Sequence, residues 1–190
     1  MSKKALKGFC AARVWPVTVN SADTYTTGEM MALPSAQNLT KEVTRSEYTI
    51  YADDGIYDSG SDYQYEDLEF TVAELPLEIE AQLSGGTFDE KEKAYTFKNN
   101  DTAPEFAFGY AALMTDGQDR MFKHYVVKLM AVKVDHATKG ESGEIAAYVL
   151  SFRSTQRMAD GAVRITKDSE DNTYSWLSTI DNLPVTEPGA

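Results

Sequence analysis

Cysteine is nearly absent from this chain of 190 residues, which contains only Cys10. A single thiol cannot form a disulfide within the molecule, and it excludes a metal site built from several cysteines. Histidine is almost as rare, since only His124 and His136 are present. Few side chains are therefore available for acid–base chemistry at neutral pH, and we interpret both histidines as packing or surface residues.

Long apolar runs are also missing. No stretch approaches the apolar length that a membrane-spanning helix needs, and we expect no membrane contact. The N-terminus begins with basic residues, as a signal peptide does, but Lys7, Gly8 and Arg13 interrupt the apolar residues that would have to follow. The sequence therefore predicts a protein that is made in the cytoplasm.

The motifs of common enzymes are absent as well. There is no Gly-x-Ser-x-Gly, no Walker phosphate loop and no Gly-x-Gly-x-x-Gly, and residues 139–142 predict a hairpin turn. Carboxylate pairs such as Glu78 with Glu80, or Asp89 with Glu90, resemble the acidic pair of a glycoside hydrolase. Such pairs arise by default in a chain with a net charge of −12. We therefore predict that the protein is not an enzyme and uses no cofactor.

Basic residues are absent from a long central stretch. Residues 46–90 include thirteen acidic side chains and no Lys or Arg. Such a surface repels a phosphate backbone and argues against nucleic-acid binding. Residues 120–157, by contrast, contain seven Lys or Arg and three acidic residues. If both segments are surface sheets, identical copies could meet acidic edge to basic edge; the alternative is two ordinary solvated faces.

Short strand-like segments separated by Gly, Asp, Asn and Ser dominate the sequence. They predict a mainly β protein, a β-sandwich or barrel-like single domain that spans residues 1–190. An N-terminal arm is expected at about residues 1–12 and a mobile tail at about 181–190. Two long hairpins are predicted, at about 38–75 and 120–156, with strands longer than usual.

Shorter elements complete the predicted domain. One short helix follows Pro76 and ends at Gly85, because proline is tolerated in a first helical turn and glycine ends a helix. Further strands are predicted at residues 14–19, 30–33, 94–98, 105–114, 161–167 and 174–179.

The first long hairpin contains a segment with two different faces. Its apolar and polar side chains alternate, with Leu68, Phe70 and Val72 opposite Asp67, Glu69 and Thr71. The pattern predicts a half-buried antiparallel strand with an anionic open face. Before it, residues 53–62 form a predicted loop rich in acidic residues, tyrosine and glycine. Oxygen ligands for calcium are plentiful there, but the ligand order of an EF-hand is missing.

Both long hairpins mix polar residues onto each face. In the first hairpin, for example, Thr40, Glu42 and Thr44 alternate with Lys41 and Arg45. A strand that is polar on both faces suits a protein in which one face meets water and the other meets a second copy. A long open edge invites pairing with another chain, and closure into a ring abolishes such edges.

Three segments carry a likeness to a known family through their order and spacing. The first is Tyr51-Ala-Asp-Asp54 with Tyr65-Glu-Asp-Leu-Glu-Phe-Thr-Val72. The second is Phe106-Ala-Phe-Gly-Tyr-Ala-Ala-Leu-Met-Thr-Asp-Gly117 followed by Tyr125-Val-Val-Lys-Leu129. The third is the turn Ala137-Thr-Lys-Gly-Glu-Ser142 before the predicted strand at 144–153. Over about residues 5–180 the chain resembles the major tail protein family of long-tailed, non-contractile phages, the subunits of the tail tube.

The resemblance implies a subunit that forms homohexameric rings, which stack into a hollow tube. In this family two long hairpins of each subunit join a barrel around the lumen, and loops and terminal segments bridge successive rings. The tube belongs to the virion and conducts double-stranded DNA, which an anionic lumen does not bind. A tape measure protein and the tail terminator and tip proteins are implied as further partners. The chain would then be made in the host cytoplasm and function in the virion.

The resemblance also assigns roles to individual residues. Contacts with the next ring or a neighbour are expected from the loop of the first hairpin, at Asp53, Asp54, Ile56, Tyr57 and Asp58. The lumen face is expected to carry Asp67, Glu69 and Thr71. Pairing with acids of the adjacent subunit is expected from Lys128, Lys133 and Arg153.

Other classes of function remain open at this point. A carbohydrate-binding β-sandwich would use the acidic, tyrosine-rich loop as a sugar or calcium site. A small hydrolase would use an acidic pair, although no positioned base or nucleophile accompanies one. Composition alone also leaves open another virion part, such as a head decoration or head–tail joining protein.

Overall fold

The computed structural model describes residues 5–134, 147–169 and 173–183. It confirms the mainly β fold, with one short helix among the described residues. In chain order the strands are β1 (Leu6–Asn20), β2 (Tyr25–Thr27), β3 (Met31–Ala32), β4 (Ala36–Ala52), β5 (Gly55–Val72), β6 (Thr87–Asp89), β7 (Ala94–Thr96), β8 (Glu105–Met114), β9 (Asp119–Val134), β10 (Tyr148–Thr155) and β11 (Arg164–Ser169). Helix α1 spans Leu77–Ser84, and a 3-10 turn spans Ser175–Ser178.

Nine of these strands form one sheet in which neighbours pair antiparallel. Its order is β2-β1-β8-β9-β10-β5-β4, with β3 paired to β1 and β11 paired to β9. The remaining strands, β6 and β7, form a separate hairpin. The sheet curls over on itself. Three strands separate β1 from β5, yet the ring centroids of Phe9 in β1 and Phe70 in β5 lie only 5.6 Å apart. The result is a sandwich-like fold, as the strand pattern predicted.

The main core lies on the inner face of the curled sheet. Its centre is aromatic, since the Phe108 ring lies 5.6 Å from Phe70 and 5.8 Å from Phe152 between centroids. Leu68 and Val72 of β5 are buried beside Phe70, which places the apolar side of the alternating segment inside. Burial of each such side chain contributes roughly 2–3 kcal/mol, so this core holds the body strands together.

Helix α1 forms where the sequence predicted a short helix. Pro76 directly precedes its first residue. Amides at the start of a helix have no acceptor within the helix, so the missing amide hydrogen of proline costs no hydrogen bond there. Gly85 ends the helix with a φ of 79°, and its amide donates to the Ala81 carbonyl. A left-handed residue of this kind stops the helix at low conformational cost only when it is glycine.

The second hairpin differs from its prediction, because residues 121–127 of β9 are buried on both faces, whereas Lys128, Met130 and Lys133 further along the strand are exposed. Phe122 and Val127 lie in the main core, whereas Met121 and Tyr125 lie against the C-terminal segment on the other side. Even Lys123 is fully buried, with its ammonium 3.9 Å from the centroid of the Trp176 ring. The expectation that this hairpin is polar on both faces was therefore wrong for residues 121–127 of β9, since the segment after β11 covers the side that was expected to be open there.

That covering segment was also predicted incorrectly. Within residues 174–179 the chain forms a 3-10 turn at Ser175–Ser178 and not a strand, and Tyr174, directly before the turn, has a φ of 54°. Leu177 then packs on Ala111 and Met121. The apolar side chains of this segment pack on the face of the sheet, and the segment does not add a strand to its edge.

The expected N-terminal arm at residues 1–12 is largely part of the sheet. Strand β1 begins at Leu6 and pairs with Met114 of β8, and Ala12 is buried. A bulge, at which Ala11 has a φ of 54°, interrupts the alternation that would have indicated this strand. At the other end, Leu183 bridges to Tyr25. Residues 1–4, the turn at 139–142, His136 and residues 184–190 lie outside the described residues.

Candidate assembly surface

The outer half of the first hairpin extends beyond the body as a two-stranded ribbon. Strand β10 pairs with β5 only between Glu66 and Val72, so residues 44–52 of β4 and 55–65 of β5 pair only with each other. At about 3.4 Å per residue the ribbon is roughly 30 Å long. We define residues 44–65 as the ribbon.

A tight turn closes the ribbon, and the predicted loop at residues 53–62 does not exist. Asp53 and Asp54 have φ angles of 48° and 65°, and β5 starts at Gly55 immediately after them. Positive φ at both central residues is typical of the hairpin turn that matches the twist of the flanking strands. Of the predicted loop contacts, Ile56, Tyr57 and Asp58 therefore lie in β5. Glycine and aspartate made this strand look like a loop.

Large apolar side chains are exposed on both faces of the ribbon. Tyr51, Ile56 and Tyr57 are 73%, 66% and 76% exposed, and Tyr48 and Ile50 are exposed as well. An isolated pair of strands is at best marginally stable in water, and clustered exposed apolar groups mark interaction sites. In the free chain the ribbon therefore lacks the contacts that would stabilise it.

The ribbon is also anionic. Arg45 is its only basic residue, and its acidic residues are Glu47, Asp53, Asp54, Asp58 and Asp62. None of these acids forms an ion pair with another residue of the described chain. The combination of exposed tyrosines and unpaired carboxylates suits a contact with an apolar surface that carries positive charge.

The open face of the sheet next to the ribbon carries paired charges. Arg153 Nε lies 2.9 Å from Asp67 Oδ1, and Lys133 Nζ lies 3.8 Å from Glu69 Oε1. The two predicted lumen acids thus contact two of the bases that were predicted to reach an adjacent subunit, and the half-buried Thr71 lies in the same strand.

The third of these bases also contacts its own chain, because Lys128 Nζ lies 3.8 Å from Glu105 Oε1. Each of the three bases therefore has an acid within the molecule. Pairing across subunits and the lumen assignment stay predictions. For pairing across subunits, an acid of the adjacent subunit would have to replace or share the acid that each base contacts within its own chain.

A buried polar cluster holds the root of the ribbon, and the sequence reasoning missed it. The carboxylate of Glu66 is almost fully buried, and its Oε1 lies 3.0 Å from Arg164 Nε of β11. Its Oε2 lies 3.4 Å from His124 Nδ1, which is also 3.2 Å from Ser154 Oγ. One signal was available, because Glu66 shares the inward parity of the buried Leu68 and therefore had to enter the core.

His124 is neutral in this cluster. Burial, together with the nearby cations Lys41 and Arg164, lowers the pKa of its imidazole to about 3. The nearby Glu66 carboxylate favours the imidazolium, but a ring with no exposed surface beside two cations is dominated by desolvation. His124 therefore packs as a neutral aromatic ring, 6.1 Å from the stacked ring of Tyr110 between centroids.

The described residues contain no group of three or more His, Cys, Asp or Glu side chains that could hold a metal ion. No helix in the described part of the chain is long and apolar enough to cross a membrane.

Comparison with known proteins adds no relative: no family model matches the chain, and no curated protein matches it.

Proposed function

We propose that the protein is a structural subunit that assembles with copies of itself, and that the assembly is the tail tube of a long-tailed, non-contractile phage. One observation carries the proposal: a ribbon about 30 Å long projects from the body and exposes apolar residues on both faces, and its two strands have no further strand partner in the described chain. Identical neighbours would supply that partner on each side.

The proposed architecture is a homohexameric ring in which the first hairpins of all copies line a hollow centre, with rings stacked into a tube. The net charge of −12 supports a lumen through which double-stranded DNA passes without binding. Tape measure, terminator and tip proteins are the further partners that the resemblance implies, and the virion is the implied location.

The carbohydrate-binding alternative assumed that the acidic, tyrosine-rich segment forms a loop around a ligand. In the structure that segment is a ribbon whose exposed Tyr48 and Tyr51 lie on opposite faces, with the exposed Tyr57 at a bulge beside the turn. This arrangement favours contacts on both faces of the ribbon over a single binding cleft.

Electron microscopy of the purified chain tests the proposal. In the key variant Asn-Gly replaces residues 49–59, which keeps Tyr48 paired with Gly60 and closes the hairpin with a favoured turn. We expect rings or tubes from the unmodified chain and a folded monomer from the shortened one. A control variant, Lys91→Glu in the turn between β6 and β7, leaves the ribbon intact and should still assemble. An unmodified chain that remains monomeric, or unaltered tubes from the shortened chain, would refute the proposal.

A further inference from the structure

A groove of about 280 Å³ opens between the start of β1 and the start of β4. It lies where the curled sheet brings these two strands together without pairing them, since β1 pairs with β8 and the described order of the sheet ends at β4. Its lining is mostly apolar and consists of Leu6, Phe9, Leu39, Tyr110, Ala112 and Phe122, with Gly8, Asn38 and Lys41.

Lys41 is the charged residue in this lining. Its ammonium lies 5.7 Å from the centroid of the Phe122 ring, and no carboxylate of a described residue is in ion-pair contact with it. Burial lowers the pKa of Lys41 and the neighbouring Arg164 lowers it further, while the Glu66 carboxylate opposes them only in part. A half-buried cation without a partner is costly, so the groove is suited to an apolar occupant that carries a negative charge.

We propose that this groove receives the ribbon of a second copy, with a carboxylate placed at Lys41 and a tyrosine ring placed against the apolar lining. The inference rests on the proposed function and identifies the contact within a ring. The ribbon matches the groove in charge and in chemistry, because residues 46–90 contain no Lys or Arg and the ribbon exposes tyrosines.

The positions of ribbon and groove agree with this contact. Leu6 pairs with Met114 at the end of β8, and the ribbon leaves the sheet on this same side, beyond Glu66. In a ring of copies that stand side by side, the ribbon of one copy and the groove of its neighbour would therefore lie on the same side of the ring. Glu47 and Asp62 are the ribbon acids nearest the body, and they lie on opposite faces of the ribbon. The face that enters the groove determines which of the two carboxylates meets Lys41, so a test of the contact must reverse both charges.

Charge reversal tests the contact in the full chain by sedimentation velocity. Lys41→Glu should weaken association at least about tenfold, because like charges would meet in a partly desolvated site. The control Lys91→Glu makes the same charge change in the β6–β7 turn, outside the groove, and should leave association unchanged. Thermal unfolding verifies that both variants fold. If Lys41→Glu does not fold, Lys41→Gln removes the charge and should weaken association in the same direction.

A mixing experiment identifies the occupant. A chain with Glu47→Lys and Asp62→Lys keeps its groove and reverses its ribbon, so it should also fail to assemble alone. Mixed with the Lys41→Glu chain, it should assemble, because each groove then meets a ribbon of opposite charge. Assembly of Lys41→Glu at the unmodified level, or a mixture that stays unassembled, would overturn the groove contact and leave the proposed function standing. An unmodified chain that does not self-associate would refute both.

Discussion

Glu66 is the residue at which the ribbon joins the body. It is the first residue of β5, in chain order, to pair with β10, where it faces Ser154, and its side chain is buried in the core. A buried carboxylate is tolerated only when a partner compensates for its lost hydration. Arg164 supplies that partner from β11, so the ion pair fastens an edge strand to the point from which the ribbon extends.

Replacement of Arg164 with Met should destabilise the protein by about 3 kcal/mol, because it leaves the Glu66 carboxylate buried and uncompensated. Urea unfolding monitored by tryptophan fluorescence measures the change. The matched control is Arg120→Met, which removes the bidentate contact with Asp168, the partly exposed pair between β9 and β11. It should change the free energy of unfolding by no more than about 1 kcal/mol. An equal decrease in the free energy of unfolding in both variants would show that the buried ion pair stabilises the fold no more than the exposed one.

His124 makes stability depend on pH in a defined window. Its pKa is about 3 in the folded chain and about 6.5 when unfolded, so the unfolded chain binds the extra proton between these values. Stability is therefore fully present above pH 6.5 and falls as pH decreases. Between pH 7 and pH 5 the free energy of unfolding should drop by about 2 kcal/mol.

Two variants assign this pH effect. His124→Gln should abolish the loss between pH 7 and pH 5, whatever its own effect on stability at pH 7. His136→Gln should leave the loss unchanged, and these are the two histidines of the chain. A pH slope that survives His124→Gln would mean that other groups titrate on unfolding.

Among the elements, the ribbon should be the least stable in the free chain. Its strands pair only with each other, whereas β9 and β10 are held by strands on both sides. Local opening needs little free energy where few buried contacts must break. Hydrogen exchange followed by mass spectrometry should therefore show amides of residues 44–65 exchanging at least about 100-fold faster than those of β10. Assembly should slow them. Ribbon protection equal to that of β10 in the free chain would show that the ribbon needs no partner.

The same elements show what the sequence made predictable. Alternation in β5 indicated which side of the strand is buried, and Pro76 with Gly85 indicated the helix. Gly55, Asp58 and Gly60 hid a strand, because residues with low strand propensity usually mark turns. Gly60 has a local reason in the structure: a Cβ there would lie 2.6 Å from the Tyr48 hydroxyl, so glycine lets that ring cross the ribbon.

The candidate site was harder to predict, because it depends on pairs distant in sequence. Arg164 meets Glu66, and Arg153 meets Asp67. Neither spacing has a local signature, and both follow only once β10 and β11 are placed in the sheet. The groove likewise arises from the curl that brings β1 to β4.

At the scale of the whole molecule, two electrostatic effects oppose each other during assembly. Each copy has a net charge of −12, so copies repel at long range. The proposed contact between the ribbon and Lys41 attracts at short range. Salt separates the two, because charges further apart than a Debye length are screened while partly buried pairs are screened much less.

Moderate salt should therefore promote assembly. The Debye length falls from about 30 Å near 0.01 M to about 8 Å near 0.15 M ionic strength, which removes repulsion between bodies and preserves contact at the groove. Light scattering should record faster growth of the unmodified chain at the higher salt. Lys41→Glu should show little assembly at either concentration, since screening cannot restore the missing charge pair. Fastest assembly of the unmodified chain at the lowest salt would contradict the prediction. It would show that attraction between exposed charges, and not repulsion between the copies, controls the rate of assembly.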